Sequence, residues 1–247
     1  MKRLIRKVLT YLSFGILVGY IFFVAVPLGR ILELLGDTPR RRAKFHRHIR
    51  RFFRFYTFCC VPGTFFKLNN PHRETFKKPA LVIANHQSLL DLPATLMLGD
   101  KMVAMCGEWV WDSQIYGRVI RFADFFPATM SMDDMVAHCR SCLDRGYSVL
   151  IFPEGTRSED GQIHTFRRGA FHLVEQLKCD VVPVVLAGTG KRLPKNDFCI
   201  NPGKVLIEIG QRVTYESGTM GEGHGAMTRY WHKWFISRYQ TLSEMTN

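Results

Sequence analysis

The sequence predicts an α/β fold, a largely parallel sheet flanked by helices, preceded by an N-terminal membrane-associated helical appendage. Three observations predict it. Short runs at residues 80–84, 148–152 and 180–186, apolar but for Ser148 and Asp180 at their starts, alternate with helix-like stretches, as in sheets covered on both faces. The first two runs stop at polar clusters, where open α/β sheets place their chemistry. The charge is uneven: residues 1–60 hold 13 Lys/Arg and two acids, so most of the net +13 belongs to one end of 247 residues. The chain therefore divides into residues 1–62, the helical appendage, and residues 63–247, the α/β domain.

Lys2, Arg3, Arg6 and Lys7 precede residues 8–29, 22 positions without a charge. At about 1.5 Å per residue this run is long enough to span a bilayer. Thr10, Ser13, Gly15, Gly19 and Pro27 dilute it, so a half-inserted helix is also open. No A-x-A site follows, which argues against a cleaved signal peptide. Residues 39–61 read as a basic amphipathic helix. Eight Lys/Arg fall between Arg40 and Arg54, and Phe45, Ile49, Phe52, Phe53 and Tyr56 share one face. An anionic membrane surface suits this helix better than nucleic acid, which would leave the adjacent apolar run unexplained. Basic residues flank that run on both sides, so charge alone does not orient it. Seven scattered cysteines point to a reducing compartment and a catalytic domain on the cytoplasmic side. Cys139 and Cys142 read as small residues on a buried helical face, not as a redox pair.

The domain follows in order. Residues 80–84 form a strand that ends at Asn85-His86-Gln87-Ser88, with Asp91 beyond. A histidine here can take a proton near neutral pH, and a carboxylate can fix its tautomer. On one straight helix His86 and Asp91 would point about 140° apart, so their pairing requires the helix to begin after His86. The bland alternative is a strand-to-helix corner capped by Asn85 or Ser88. No G-x-S-x-G surrounds Ser88, and no H-E-x-x-H or paired cysteines suggest a catalytic metal. A helix to residue 98, a strand at 101–105 and a helix at 109–123 are expected next. Ser131 and Asp134 form a capping box for a helix through Arg145 that Gly146 ends. The strand at 148–152 runs into Pro153-Glu154-Gly155-Thr156-Arg157-Ser158. There Gly155 permits close backbone approach and Arg157 offers a fork for phosphate or carboxylate. The alternative is an ordinary loop with Glu154 and Arg157 paired. Arg167 and Arg168 open a helix over 170–177, a candidate anion site. Pro183 inside the strand at 180–186 demands an edge, bulge or strand end. A last strand at 204–209 and a helix carrying Met227, Trp231, Trp234, Phe235 and Tyr239, packed on the domain, complete the chain.

Asn85-His86-Gln87-Ser88-Leu89-Leu90-Asp91, then Phe152-Pro153-Glu154-Gly155-Thr156-Arg157-Ser158, then Val182-Pro183-Val184 occur in that order. Together, over about residues 65–215, they resemble the blocks of the glycerolipid acyltransferase family, whose best-known members are 1-acylglycerol-3-phosphate acyltransferases. The resemblance implies His86 as general base, oriented by Asp91, with Asn85 and Ser88 beside them. It implies an acceptor site of Glu154, Gly155, Thr156 and Arg157, with Arg157 on the phosphate and Arg167 or Arg168 as a further cation. Val182, Pro183 and Val184 would line the acyl side. It further implies acyl-CoA or acyl carrier protein as donor substrate, a lysophospholipid acceptor, and neither cofactor nor metal. One block departs. Many members carry an arginine after an apolar pair, whereas Phe125-Phe126 here leads into Pro127-Ala128-Thr129. Lysophosphatidic acid, another lysolipid and a non-phosphorylated hydroxyl compound therefore all stay open as acceptors.

Overall fold

The computed structural model describes residues 2–114 and 117–246. Seven strands form one sheet in the order β1-β7-β6-β2-β5-β3-β4. They are β1 (Thr64–Asn69), β2 (Leu81–Ala84), β3 (Met102–Cys106), β4 (Phe126–Pro127), β5 (Ser148–Ile151), β6 (Val181–Ala187) and β7 (Gly203–Ile209). All neighbours run parallel except β6 and β7. β2, β5 and β6 are buried at every position, as two-sided burial requires. β2 lies at the centre, so the chain leaving its carboxyl end emerges over the middle of the sheet.

In chain order the helices are α1 (Lys2–Tyr20), α2 (Val26–Leu34), α3 (Pro39–Phe55), α4 (Asp91–Leu96), α5 (Glu108–Trp111), α6 (Gly117–Phe122), α7 (Met132–Asp144), α8 (Arg168–Leu177), α9 (Thr189–Arg192) and α10 (Gly223–Glu244). A π-helical turn at Ile21–Ala25 joins α1 to α2 in one continuous rod. Ser131 caps α7 by accepting from the Asp134 amide, and Gly146 with φ +82° follows its end. α10 buries Met227, Trp231, Phe235, Tyr239 and Leu242 against the domain.

Four local expectations change. The helix expected over 109–123 is two short helices, α5 and α6; residues 115–116 lie outside the described residues. β1 adds an edge strand that a search for apolar runs passes over, because Phe65, Lys67 and Asn69 are exposed. β7 is antiparallel to β6, so the sheet is mixed at that side. Pro183 sits inside an interior strand, yet its missing donor costs no ladder bond. The Val181 amide donates to Val213, so the ring nitrogen two residues on faces the same side, where β7 has already ended at Ile209.

The N-terminal helices dock on this domain through an inverted pattern. On α1 the polar Thr10 and Ser13 are buried, while Leu4, Leu12 and Val18 are exposed. The Ile200 amide donates to Thr10 Oγ1 at 2.8 Å, and Ser13 Oγ lies 3.1 Å from the Tyr56 hydroxyl. Tyr20 stacks on Phe52 of α3, and Phe45 is fully buried in the main core. The outer side of the rod is left apolar, with Phe23 84% exposed.

Candidate active site

The segment after β2 folds back so that α4 begins at Asp91, which points the carboxylate at the preceding turn. Asp91 is completely buried. Its Oδ2 lies 3.0 Å from His86 Nδ1 and accepts the Gln87 and Ser88 amides at 2.6 Å each. One oxygen thus fixes both the imidazole and the turn that presents it. With Nδ1 held on the carboxylate, Nε2 is the ring nitrogen left for substrate. The imidazole also stacks on Phe152, with centroids 4.2 Å apart and planes 20° apart. Phe152, which opens the Phe152–Ser158 block, is thus a positioning group, a role the motif by itself did not show.

His86 lines a cavity of about 320 Å³ with an apolar wall and a basic rim. Met105, Met132, Met135, Ile151, Phe152 and Ala170 form the wall; Arg167 and Gly155 form the rim. Gly155 has φ +73°, and a Cβ there would sit 2.5 Å from Arg167 Nε, so glycine leaves the space this guanidinium occupies. Arg157, half-buried, and Arg168, exposed, make no ion pair among the described residues. The alternative of a Glu154–Arg157 pair is not what the loop adopts. Beyond the lining residues, Lys195 reaches the same loop, with Nζ 3.3 Å from Thr156 Oγ1 and 2.9 Å from Glu159. Nothing local in the sequence marks Lys195, which arrives from a loop 39 residues away.

Several expected contact residues serve the frame instead. Asn85 is fully buried and exchanges two hydrogen bonds with the Leu186 backbone, tying the end of β2 to β6. Ser88, also fully buried, donates from Oγ to the Leu193 carbonyl. Neither faces the cavity, because a buried polar side chain must satisfy itself within the frame. Val182, Pro183 and Val184 are core positions of β6 and do not line the cavity, whose apolar wall is Met-rich.

Glu154 is 5% exposed and acts as a brace. Its Oε1 accepts the His86 amide at 2.7 Å and its Oε2 the His164 amide at 3.0 Å. Burial pushes its carboxyl up to about 7, against the two amide donors that pull it down. A folded-state value above the unfolded one means the folded protein binds the extra proton. Stability from this group is therefore full below about 4.5 and declines as pH rises to about 7. Wild-type thermal stability should fall relative to Glu154→Gln across that window, and parallel pH–Tm curves would remove the assignment. The variant should also carry a pH-independent loss of about 1–3 kcal/mol, since its amide nitrogen cannot accept the second backbone proton.

The seven cysteines are all free. Burial pushes the Cys139 thiol up to about 12 and the Cys142 thiol to about 11, which keeps both protonated. The C-x-x-C is packing.

The family model described as Acyltransferase matches residues 66–187. A chloroplastic 1-acyl-sn-glycerol-3-phosphate acyltransferase of Arabidopsis thaliana is 34% identical over 197 residues, covering 75% of this chain and 53% of that protein. The beta 1-acyl-sn-glycerol-3-phosphate acyltransferase of Homo sapiens is 27% identical over 180 residues, 70% of this chain and 63% of that one. The chain thus spans little more than half the length of the curated relatives it matches. The crystal structure of the 1-acyl-sn-glycerophosphate acyltransferase from Thermotoga maritima superposes with a TM-score of 0.80 at 21% identity, over 98% of this chain and 99% of that one, which shows a shared fold. The histidine–aspartate turn and the Phe152–Ser158 loop both meet at the cavity. By that geometry and by these similarities, the chain belongs to the acyltransferase family.

Proposed function

We propose that this protein is a membrane-associated O-acyltransferase that moves a fatty acyl group from acyl-CoA or acyl carrier protein to the hydroxyl of a lysophospholipid. The leading acceptor is 1-acylglycerol-3-phosphate, which would give phosphatidic acid. The observation that carries the reading is the shared cavity of His86 and Arg167, apolar on one wall and basic at the rim. His86 Nε2 takes the acceptor hydroxyl proton as the oxygen attacks the thioester carbonyl. The C–S bond then breaks, and the departing thiolate receives that proton. General-base help of this kind is worth about 10²–10⁴-fold, so placement of the two substrates supplies the rest. No acyl-enzyme is needed.

The phosphate falls to Arg157, Arg167 and Arg168, whose guanidinium groups have no acidic partner among the described residues. Arg157→Ala and Arg167→Ala should each raise the acceptor KM by about tenfold or more, roughly 1.4 kcal/mol, with the donor KM little changed. An unaltered acceptor response in both would remove the phosphate role. A second reading, a non-phosphorylated acceptor, is favoured by the arginine-free stretch after β4, where Ala128 lines the cavity. Arg121, the nearby alternative, is held on Trp111 by a 2.8 Å bond to its carbonyl and a cation–π contact. Membranes holding the protein, given labelled acyl donor and a panel of lysolipids and alcohols, separate the readings by product. Hydrolysis of the donor without any acceptor would make it a thioesterase.

The membrane contact is assigned to the rod of Lys2–Leu34, the one helix among the described residues long and apolar enough to cross a bilayer. Because one side of it is packed against the domain, we read it as lying within one leaflet. Arg42 and Arg50 of α3 are paired with Asp37, Asp124 and Asp100, and its other bases then meet anionic headgroups. Replacing Leu12 and Phe23 with aspartate should abolish co-sedimentation with anionic vesicles while leaving thermal stability unchanged. Full retention on vesicles would overturn the assignment.

A further inference from the structure

Away from the cavity, α8 and α10 bring together two histidines and a glutamate that the proposed reaction does not use. His172 and Glu175 lie three apart on α8, one above the other on its surface. His224 is the second residue of α10. Glu175 Oε2 is 3.7 Å from His172 Nδ1 and 2.8 Å from His224 Nδ1. One ligand atom from each residue lies within 4.8 Å of the other two. The imidazoles stand edge to face, 84° apart, so their nitrogens converge on the carboxylate without stacking. All three side chains are half-buried.

We propose that His172, Glu175 and His224 form a binding site for a divalent transition-metal ion of the zinc class, clipping the start of α10 to α8. Two imidazoles and a carboxylate are a donor set that suits zinc over magnesium or calcium. Four ligands at about 2.0–2.1 Å in a tetrahedron stand about 3.3 Å apart. The observed 2.8 and 3.7 Å straddle that spacing and the third separation is at most 4.8 Å, so the ion enters with side-chain shifts of up to about 1.5 Å. Water completes the fourth position, since the site opens to solvent. The clip has a physical use. The chain reaching α10 turns through Gly218, Gly221 and Gly223, all at positive φ, and such a segment loses much conformational entropy on ordering. An ion at His224 holds its far end. The same helix α8 carries Gly169 and Ala170 into the catalytic cavity, so the clip steadies one wall of it. Sequence spacing hides the set, because His224 lies 49 residues beyond Glu175.

The test titrates chelator-stripped, full-length protein in detergent with ZnCl2 and separately with CoCl2. One equivalent should bind, with a rise in Tm of about 5 °C or more at saturation. The cobalt form should show a visible ligand-field band without thiolate charge transfer, which excludes the cysteines. His172→Gln is the deciding variant, since it removes a ligand yet leaves the His224–Glu175 hydrogen bond in place. It should weaken zinc at least tenfold, and His224→Gln should do the same. Absence of stoichiometric uptake overturns the proposal, as does uptake unchanged in both variants. In that case the trio is a metal-free polar contact.

Discussion

Substituting His86 with alanine should reduce acyl transfer by about 10²–10⁴-fold or more while the protein stays folded and on the membrane. The loss is expected because no other base sits where His86 does: Asp91 is sealed from solvent and Glu154 is occupied by two backbone amides. Folding should survive because the ring is peripheral, 21% exposed, with one hydrogen bond and one stacking contact. Asp91 would keep its two amide donors from Gln87 and Ser88, so its charge is not stranded. The comparison requires kcat with labelled donor at saturating acceptor, a melting curve and vesicle sedimentation on one preparation. Turnover within tenfold of wild type would take His86 out of the mechanism.

Asp91 gives the second large effect, and two substitutions divide its roles. In Asp91→Asn the Gln87 and Ser88 amides force the side-chain oxygen, not the NH2, into the position of Oδ2. The imidazole therefore keeps an acceptor and its orientation but loses the negative charge that stabilises it once protonated. A charged hydrogen bond exceeds a neutral one by about 1–2 kcal/mol, so kcat should fall about 5–30-fold with the melting temperature little changed. Asp91→Ala removes the acceptor for two buried amides as well. It should lose activity as completely as His86→Ala and melt well below wild type, the amides costing about 1–3 kcal/mol each. Equal melting of the two Asp91 variants would mean that the carboxylate does not hold the turn.

Some of this site was legible in the chain. The apolar run ending at Asn85-His86 announced a buried strand with its chemistry at the carboxyl end. The angular argument that Asp91 must open a new helix is met by α4, which starts there. Ser131 and Asp134 likewise marked the start of α7, since a cap is a contact between residues three apart. Where local pattern failed, a distant partner had intervened. Asn85 and Ser88 read as substrate-binding residues or helix caps until Leu186 and Leu193 close over them. Glu154 reads as a ligand for the acceptor until the His164 amide arrives to share it. The mixed polarity of α1 reads as a weakened membrane span, but its hydroxyl groups answer Ile200 and Tyr56 across the fold.

By itself the sequence determined the alternation of strands and helices, the two polar loops and the concentration of positive charge at one end. Each of these is written in the periodicity or composition of a short stretch, and water sorts apolar from polar positions at that range. Only the tertiary structure decided which polar atoms are buried as braces, which guanidinium overhangs Gly155 and which methionines wall the cavity. Those outcomes depend on atoms brought within a few ångströms from positions up to about 190 residues apart, and burial selects among them by whether every hydrogen bond can be satisfied.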